Sequence, residues 1–522
     1  MSSSSEKIYI FDTTLRDGEQ SAGIGFTKED KLQIAHALNK LNVDIIEAGF
    51  PASSIGDLEA VAAIAREIKG PVICGLARAN EKDIDAVWEA VRLAESPRIH
   101  VFLSSSDIHM AQQLHKNKED VIAMARTSIA QASKYCSDIE FSPMDATRSD
   151  PDFVYQLVQA AIEEGATTIN IPDTVGYAIP EEFSKFISSL KTNVKDIDKV
   201  RISVHCQNDL GMATANSIAG IMAGARQVEG TINGIGERAG NASLEEIIMT
   251  INTRQDIINL HTNINTEEIY ASSKLVERLS GMHVQSNKAI VGKNAFRHSS
   301  GIHQDGVLKM RETYEIIDPK TIGLYNDQSI VLTKVSGRHG LKARLDDLGI
   351  IVSDEDFDQV FNAFKDVADK KNEVDDRDLE VILSELGNID FEEEWILESV
   401  QVSTGDNQKP TAAVELKNNE NNKLFQDAAI GDGPIDAICK AINRIVKTDN
   451  KLTEYRVKSV TEGIDAQGEV AVSINYQGQS FAGNAAHTDI LVASAKAYMN
   501  ALNKQIIYNK RREKKGEKHN DE

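Results

Sequence analysis

Three things are scarce in this sequence of 522 residues: cysteine, long apolar runs and basic charge. The four cysteines (Cys74, Cys136, Cys206, Cys439) are far apart without CxxC spacing, which argues against a disulfide framework or a cysteine-built zinc site. No uninterrupted apolar run reaches the ~18 residues of a membrane-spanning helix, and the first seven residues lack the apolar segment of a secretion signal. These absences predict a cytoplasmic protein that does not span a membrane.

The charge balance excludes a second group of partners. Lys plus Arg number 57 and Asp plus Glu number 80, which gives a net charge of −23. Nucleic acids and anionic membranes attract basic surfaces, so neither is expected as the main partner. The 41% hydrophobic and 26% charged residues are typical of a soluble globular protein, and the length predicts several domains.

The first half of the chain alternates short apolar runs with helical patterns. Near-continuous apolar strands separated by single helices predict a parallel sheet, and eight such units in about 250 residues predict a closed (β/α)8 TIM barrel within an α/β chain. An open doubly wound sheet is the alternative, although such sheets usually have fewer strands. The strands are predicted at 8–12, 44–50, 71–77, 98–104, 138–143, 167–173, 201–208 and 227–234.

Polar residues gather where these strands end. In a TIM barrel the C-terminal ends of the strands and the loops after them form the active site, so these residues are expected to lie at one face. Any one of them could instead be a helix cap or a satisfied core group. The set includes Arg16, Asp17, Glu47, His100, Ser142, Asp145, Asp173, Thr174, His205, Gln207 and Asn241.

A metal site is predicted from the seventh strand. The period of two sends His205 and Gln207 to the barrel interior and Cys206 to the helices. With Asp17 from the first strand, one nitrogen and two oxygens converge, which suits Zn²⁺, Mn²⁺ or Mg²⁺. A hydrogen-bonded polar pair at the barrel mouth would explain the same letters.

The stretch 234–239 (GIGERA) has the form of a dinucleotide-binding fingerprint. It follows the eighth strand of a series and does not open a βαβ pair, so we read it as a tight turn. Ser243 and Glu246 then have the spacing of a capping box for the next helix.

Four stretches together resemble the 2-isopropylmalate synthase family. The resemblance covers almost the whole chain, and this combination of motifs is highly specific. It implies condensation of acetyl-CoA with 2-oxoisovalerate, the first committed step of leucine biosynthesis, a divalent metal, and inhibition by leucine through a C-terminal domain. The stretches are 11–20 (FDTTLRDGEQ), 205–211 (HCQNDLG), 233–241 (NGIGERAGN) and 298–306 (HSSGIHQDG).

The resemblance also implies roles for single residues. Arg16 is expected near the keto-acid carbonyl, and His303 is expected as the base that removes a proton from the acetyl methyl group, with Asp305 available to orient it. From the residues alone, a helix-capping or loop histidine is the preferred interpretation of His303. The metal site is expected to contain Asp17, His205, Gln207 and Asn241, and the substrate-binding residues are expected to be Glu47, His100, Ser142 and Thr174.

Two positions depart from the family pattern. The family's HxH pair is His205 followed by Gln207 here, and its acidic residue after Ser-Pro is Met144. Gln207 still offers a neutral carbonyl oxygen to a hard cation, whereas Met144 cannot act as an acid, a base or a charged anchor. The departures raise the alternative of a catalytically weakened, leucine-binding regulatory protein.

The second half reads differently. Residues 256–395 are predicted mostly helical and strongly charged, with helices at 354–371 and 375–386. From residue 398 three strands and a helix occur twice, at 399–446 and 455–504, an internal βββα duplication in an α+β domain. We place a catalytic domain at 1–275, helical linker or lid subdomains at 276–395, a regulatory domain at 396–505 and a charged tail at 506–522.

The duplication favours a homodimer or higher homo-oligomer. Gly431, Asp432 and Gly433 precede a helix start, where free N–H groups suit a carboxylate such as that of leucine, although helix capping explains the same residues. Citramalate synthase, which takes pyruvate, is the alternative with the same chemistry, because a methyl or two in the acceptor changes binding by only ~1–3 kcal/mol. A carbon–carbon lyase is disfavoured by the duplicated domain.

Overall fold

The structure, a computed structural model, describes residues 6–325, 330–348, 350, 352–353, 356–371, 373–386, 394–406, 408–459, 468–476 and 479–514. The described chain forms two compact units. One runs to Arg297 and resumes at Glu315, and the other contains His298–Tyr314 and the chain from Ile330 onward.

The first unit is built on a closed eight-stranded barrel in which every neighbouring pair of strands is parallel. Most strand residues are buried on both sides, as expected for a parallel sheet covered by helices. The predicted TIM barrel is therefore confirmed. Its strands are β1 (Tyr9–Asp12), β2 (Ile45–Glu47), β3 (Val72–Arg78), β4 (Pro97–Ser104), β5 (Ile139–Met144), β6 (Thr168–Asp173), β7 (Arg201–Cys206) and β8 (Gln227–Gly230).

One helix follows each barrel strand. The starts of several are fixed by local sequence: Thr27 and Asp30 form a capping box, and Ser54 accepts a hydrogen bond from the Asp57 N–H. Pro151 begins the fifth helix, where its missing N–H costs nothing. The helices are α1 (Lys28–Leu41), α2 (Ile55–Glu67), α3 (Glu81–Val91), α4 (Lys118–Ala132), α5 (Pro151–Glu163), α6 (Pro180–Asn193), α7 (Ala213–Met222) and α8 (Leu244–Thr253), followed by α9 (Ile269–Ser280).

Polar groups fill the barrel below the mouth. The Arg98 guanidinium, almost fully buried, donates to Glu140 at 2.8 Å and to Gln227 at 3.0 Å, and Gln227 in turn donates to Glu140 and Ser203. Because side chains alternate along each strand, the next inward residues of these strands are His100, Ser142, His205 and Glu229. The lower layer thus supports the layer that carries the predicted site.

The predicted helical region, 256–395, is divided between the units, and the second unit contains its residues 298–314 and those from 330 onward. It includes α10 (Gly301–Lys309), α11 (Arg338–Asp347), α12 (Phe357–Ala368) and α13 (Asp376–Glu385), the last three packed around an apolar cluster with Phe364 and Leu379 at its centre. The two predicted helices at 354–371 and 375–386 correspond to α12 and α13. The glycine-containing segment at 336–340 is the start of α11, with Gly337 at the N-cap.

The C-terminal part of this unit repeats one motif. The sheet β9 (Trp395–Ser403), β10 (Thr411–Asn418) and β11 (Lys423–Ile430) precedes α14 (Pro434–Val446), and the sheet β12 (Lys451–Ser459), β13 (Gly468–Tyr476) and β14 (Gln479–His487) precedes α15 (Ile490–Lys514). Both sheets are antiparallel, and both first strands contain a register shift near their start. The predicted βββα duplication is confirmed; residues 460–461 of one predicted strand lie outside the described residues.

The predicted C-terminal tail is corrected. The predicted tail at 506–522 starts too early, because α15 continues to Lys514 while Ile506 and Tyr508 pack against the apolar cluster of this domain; residues 515–522 lie outside the described chain. Within the part of the chain that the structure describes, no helix is long and apolar enough to cross a membrane. All four cysteines are free.

Candidate active site

Four predicted metal-site residues meet at the mouth of the barrel. Asn241 Nδ2 lies 2.6 Å and Gln207 Nε2 lies 3.2 Å from Asp17 Oδ1, and Gln207 Nε2 lies 3.1 Å from Asn241 Oδ1 and 3.3 Å from His205 Nε2. All four residues are at most 6% exposed. Residues separated by more than 220 positions in the sequence therefore form one cluster, as the strand-end pattern predicts.

The strands and the loop after β8 produce this convergence. β7 ends at Cys206, one residue before Gln207, and Gln207 forms an isolated antiparallel bridge with Asn241. Gly236 allows the loop to approach: a Cβ there would lie 2.2 Å from Asn241 Nδ2. The predicted turn at 234–239 lies in this loop: Gly240 N donates to Glu237 O at 2.8 Å, and Asn241 N donates to Gly234 O at 3.0 Å across the base of the loop.

The predicted capping box after this turn is wrong. Ser243 occupies the N-cap position of α8 but makes no side-chain cap hydrogen bond. Lys288 Nζ instead donates to Ser243 Oγ at 2.6 Å and to Glu246 Oε1 at 2.7 Å. The distant residue Lys288 thus provides the hydrogen bonds in place of the predicted local capping box.

His205 is oriented by a carboxylate that the motif search missed. Its Nδ1 lies 2.6 Å from the acceptor Glu229 Oε2, so the ring donates from Nδ1 and, when neutral, directs its Nε2 lone pair at the cluster. Burial lowers the pKa of His205, but the Glu229 hydrogen bond and charge outweigh it and raise the pKa. The sequence signal that could have found Glu229 is the alternation of side chains along β8, which places Glu229 on the inner face of the barrel.

Arg16 supplies the positive charge of the site. Its Nη1 donates to Asp17 Oδ2 at 2.5 Å and its Nε donates to Glu47 Oε2 at 2.6 Å. Burial opposes ionisation of Asp17, yet Arg16, then His205 and the two amides, lower its pKa below the ordinary value. Asp17 is therefore held as a carboxylate.

A chain of hydrogen bonds continues from Arg16 across the barrel. Glu47 also accepts from Thr13 and pairs with His100 Nδ1 at 2.7 Å, while His100 Nε2 lies 2.7 Å from Ser142 Oγ. Burial disfavours the charged forms, but Arg16 and His100 lower the pKa of Glu47, and Glu47 raises the pKa of His100. Asn170, also missed, donates to Ser142.

The role predicted for Glu47 changes. Its side chain is fully buried, and both oxygens accept protein donors. We correct the prediction of substrate contact: Glu47 positions Arg16 and His100. The substrate roles of His100 and Ser142 stay predictions.

The loops after β5 to β8 are tied together at the mouth. Thr174 Oγ1 accepts from Asp145 N, and Arg238 donates to Thr174 O and, through two nitrogens, to Asp209. Met144 ends β5 without an ionisable group. Near it, His109 Nδ1 lies 3.6 Å from Asp145 Oδ2 and has no hydrogen-bond partner in the described structure; the π-helical turn that follows His109 gave no sequence signal.

The donor set fits a hard divalent cation. Asp17, Asn241 and Gln207 provide oxygens, and His205 provides an imidazole nitrogen whose tautomer is fixed. Among the described residues Gln207 Oε1 is buried without a hydrogen-bond partner, and Gly236 leaves room where a Cβ would meet Asn241. Two other groups of close ligand-type side chains (Glu47, Cys74, His100; His100, Glu140, Glu229) already have Arg16 and Arg98 as counter-charges.

A cavity of about 610 Å³ opens beside Arg16, between the loops after β1 and β2. Phe26 and Phe50 line it, and the buried Lys31 bridges Glu19 and Asp57 at its wall. Its size suits a small-molecule ligand.

His303 and Asp305 lie in the second unit, on α10. His303 is exposed, and its ring centroid lies 4.2 Å from that of Tyr314. Asp305 does not orient it: the Asp305 carboxylate accepts from Lys309 at 2.7 Å and pairs with His339 at 2.7 Å. The expectation of an Asp305–His303 pair is wrong because residues two apart on a helix point to different sides.

Gly431, Asp432 and Gly433 precede α14 as predicted, with Gly433 at the N-cap. The Asp432 N–H already donates to Asp436 Oδ2 at 2.8 Å. Gly431 is packed tightly, since a Cβ there would lie 2.3 Å from Ala437 N.

Comparison with known proteins covers nearly the whole chain. A family model described as HMGL-like matches residues 7–276, one described as homocitrate synthase post-HMGL domain-like matches 290–372, and one described as LeuA allosteric (dimerisation) domain matches 373–506. The crystal structure of the Bacillus subtilis HMG-CoA lyase is similar, with a TM-score of 0.46 and 21% identity over 54% of this chain and 96% of that chain.

The sequence relatives are much nearer. The 2-isopropylmalate synthase of Pelotomaculum thermopropionicum is 53% identical and covers 96% of this chain and 99% of the relative. That of Carboxydothermus hydrogenoformans is 54% identical and covers 96% of this chain and 98% of the relative. The chain belongs to the 2-isopropylmalate synthase family.

Proposed function

We propose that this chain condenses acetyl-CoA with 2-oxoisovalerate and water to give 2-isopropylmalate and CoA. The observation that supports it most is the convergence of Asp17, His205, Asn241 and Arg16 at the barrel mouth, in a chain more than half identical to synthases of that name. Because its relatives are so similar over their full length, we conclude that the enzyme is a transferase.

Asp17, His205, Gln207 and Asn241 are the residues that would hold a divalent ion, Mn²⁺, Mg²⁺ or Zn²⁺. When bound, such an ion supplies Lewis-acid polarisation of the 2-oxo acid. Glu229 keeps the His205 Nε2 lone pair directed at the cluster, and Arg16 keeps Asp17 ionised.

Arg16 stabilises the charge that develops on the acceptor oxygen. Two of the five guanidinium N–H donors are held by Asp17 and Glu47, which fixes the plane of the group. A fixed cation in a buried site stabilises a developing alkoxide without reorganisation. The His100–Glu47 pair keeps this arrangement rigid.

His303 is proposed as the base for the acetyl methyl group. It is exposed and close to Tyr314, and an imidazole nitrogen can act as a general base. Loss of the methyl proton leaves a carbanion on acetyl-CoA, which attacks the ketone carbon of 2-oxoisovalerate. The oxygen anion formed in this step takes a proton, and water then cleaves the thioester. Release of CoA makes the sequence irreversible.

Regulation is part of the proposal. The match to an allosteric and dimerisation domain supports inhibition by leucine at the segment around Gly431–Gly433 and assembly as a homodimer or larger homo-oligomer. A cytoplasmic location is proposed from the sequence, and the four free cysteines agree with it.

Met144 and Gln207 favour a second candidate, a leucine-binding regulatory protein with weak catalysis. Met144 places no acid or base at the end of β5, and Gln207 replaces an imidazole with an amide. Because the other groups of the site are present, we favour the enzyme function over the regulatory candidate.

The test is release of free CoA thiol by chelator-stripped protein given acetyl-CoA with 2-oxoisovalerate, pyruvate or 2-oxoglutarate, with and without Mn²⁺ and leucine. Preferential, metal-restored and leucine-inhibited turnover of 2-oxoisovalerate supports the proposal. A preference for pyruvate would make it a citramalate synthase. No turnover with any acceptor, together with leucine binding, would favour the regulatory candidate.

A further inference from the structure

The side-chain amide of Gln207 is mismatched with its surroundings at its oxygen, while its nitrogen faces a group of acceptors. Its Nε2 faces three acceptors, Asp17 Oδ1 at 3.2 Å, Asn241 Oδ1 at 3.1 Å and His205 Nε2 at 3.3 Å. An amide nitrogen has two hydrogens and cannot donate to all three at once, and Asp17 Oδ1 already accepts from Asn241 Nδ2 at 2.6 Å. At the other end Oε1 is buried and has no hydrogen-bond partner in the described structure.

The three acceptors are fixed by their surroundings, so the mismatch cannot be removed by turning them. In the neutral ring, which is the form that binds a metal, His205 Nε2 is an acceptor because Nδ1 donates to Glu229, and Asn241 presents Oδ1 because its Nδ2 donates to Asp17 Oδ1 and to Ile235 O. Arg16 keeps Asp17 charged. The cluster therefore presents three electron-rich atoms to Gln207.

Rotation of the amide by half a turn exchanges its oxygen and nitrogen without moving the rest of the chain. Oε1 would then take the place of Nε2, at 3.1–3.3 Å from the same three atoms. Four electron-rich atoms so close together repel one another unless a cation lies among them. The amide thus has one orientation for the free site and the other for the occupied site.

We propose that Gln207 binds the cation through Oε1 and sets the metal preference of this chain. The inference rests on the proposed metal-dependent function and deepens it. Three oxygens and one imidazole nitrogen form a hard ligand set, which suits Mn²⁺ and Mg²⁺ better than a set with two imidazoles, the kind that favours Zn²⁺. The ratio of Zn²⁺ affinity to Mn²⁺ affinity is therefore low in this chain.

No softer ligand compensates at the cluster. Cys206, the residue between His205 and Gln207, is buried on the opposite face of β7, where it belongs to the apolar cluster of the barrel. Cys74 lies with Glu47 and His100, whose charges are already paired. Within the described residues the choice of metal depends on Gln207 and its three neighbours.

The experiment measures Zn²⁺ and Mn²⁺ binding to the metal-stripped full chain by isothermal titration calorimetry, with circular dichroism to confirm folding. Gln207→His is expected to raise the Zn²⁺-to-Mn²⁺ affinity ratio about tenfold or more, and Gln207→Leu to weaken binding of both ions about tenfold or more. Cys206→Ala, on the opposite face of the same strand, is the control and should change neither affinity.

Pulsed electron paramagnetic resonance of bound Mn²⁺ provides a second readout that does not depend on affinity. One coupled imidazole nitrogen is expected in the wild type and two in Gln207→His. A ratio unchanged within threefold in Gln207→His, or wild-type affinities in Gln207→Leu, would overturn the inference and leave the proposed function standing. Failure of the wild type to bind either ion would overturn both.

Discussion

Single buried charges determine the chemistry of the barrel mouth. Arg16 is shared between Asp17 and Glu47, so one guanidinium keeps the predicted metal-site carboxylate ionised and also orients the Glu47–His100 pair. Truncating one partner of such a buried network leaves the others unpaired. Substitutions within this buried network are therefore expected to have larger effects than substitutions of a surface charge.

Arg16→Lys tests the importance of the planar fork. Lysine keeps the charge but offers a point donor, which cannot reach both carboxylates in the same geometry. We expect kcat to fall by about 10²–10³, with a smaller change in KM. Steady-state CoA release measures both constants. A kcat within threefold of wild type would show that the fork is not needed.

Asp12 predicts a pH dependence of stability. Burial raises its pKa from 3.8 to about 7, although Thr14 donates two hydrogen bonds to it. Between these values the folded state holds a proton that the unfolded state has released. Its stabilising contribution is therefore complete below pH 3.8 and is lost as pH rises towards 7, by about 1.4 kcal/mol per unit.

Asp12→Asn removes this titration and keeps an oxygen for the Thr14 N–H. We expect the variant's free energy of unfolding, relative to wild type, to rise by about 2–3 kcal/mol between pH 5 and pH 8. Urea unfolding at the two pH values, followed by circular dichroism, gives the difference. An unchanged difference would show that Asp12 is already ionised in the folded state.

Loops after the strands, rather than the strands, complete the site. β7 stops at Cys206 and β8 at Gly230, before the lengths that their apolar runs predict, because the chain turns there to bring Gln207 and Asn241 together. The glycines of the turn permit this approach. Gly240 has a φ of +89°, and a Cβ there would lie 2.0 Å from Gly234 O.

Gly236→Ala tests the approach of the loop to the cluster. The added methyl would lie 2.2 Å from Asn241 Nδ2 and displace that side chain. We expect Mn²⁺ affinity to fall by about tenfold or more, measured by calorimetry, because ligand orientation is lost. Gly25→Ala, where no atom lies within 4 Å, should bind Mn²⁺ as wild type does. Equal affinities in the two variants would contradict the role of the close approach.

The two compact units have separate apolar interiors, and the C-terminal domain contains a polar seam of its own. Tyr498 O–H lies 2.7 Å from Asn443 Oδ1 and 2.5 Å from Asn450 Oδ1, and Asn450 donates to Gln505. These residues join the end of α14 to α15, so they connect the two βββα halves. Tyr498 is only 1% exposed.

Tyr498→Phe removes the hydroxyl that donates to these asparagine oxygens, and Asn450 Oδ1 keeps only the Asn443 Nδ2 donor at 3.2 Å. We expect the free energy of unfolding of the C-terminal domain to fall by about 1–3 kcal/mol, while basal CoA release is unchanged. Differential scanning calorimetry should show a lower transition temperature for one component only. A uniform shift of all transitions would show that the units unfold together.

Much of this molecule was determined by the sequence alone. The eight strand–helix units, the βββα duplication and the polar residues at strand ends follow from short-range periodicity, which depends only on backbone geometry and apolar burial. The family motifs predicted a metal site with Asp17, His205 and Asn241, and the structure places these three side chains close together. The start of α1 is likewise encoded locally, by the capping box of Thr27 and Asp30.

The tertiary structure decided which side chains pair with one another. Glu229 holds His205, Glu47 is buried behind Arg16, Lys288 replaces the capping box at Ser243, and Asp305 pairs with His339 instead of His303. Each pairing joins positions whose separation in space is set by barrel closure or helix packing, and no local pattern encodes it. The surroundings of Gln207 likewise exist only because acceptors from strand β7 and from the loops after β1 and β8 converge on one amide.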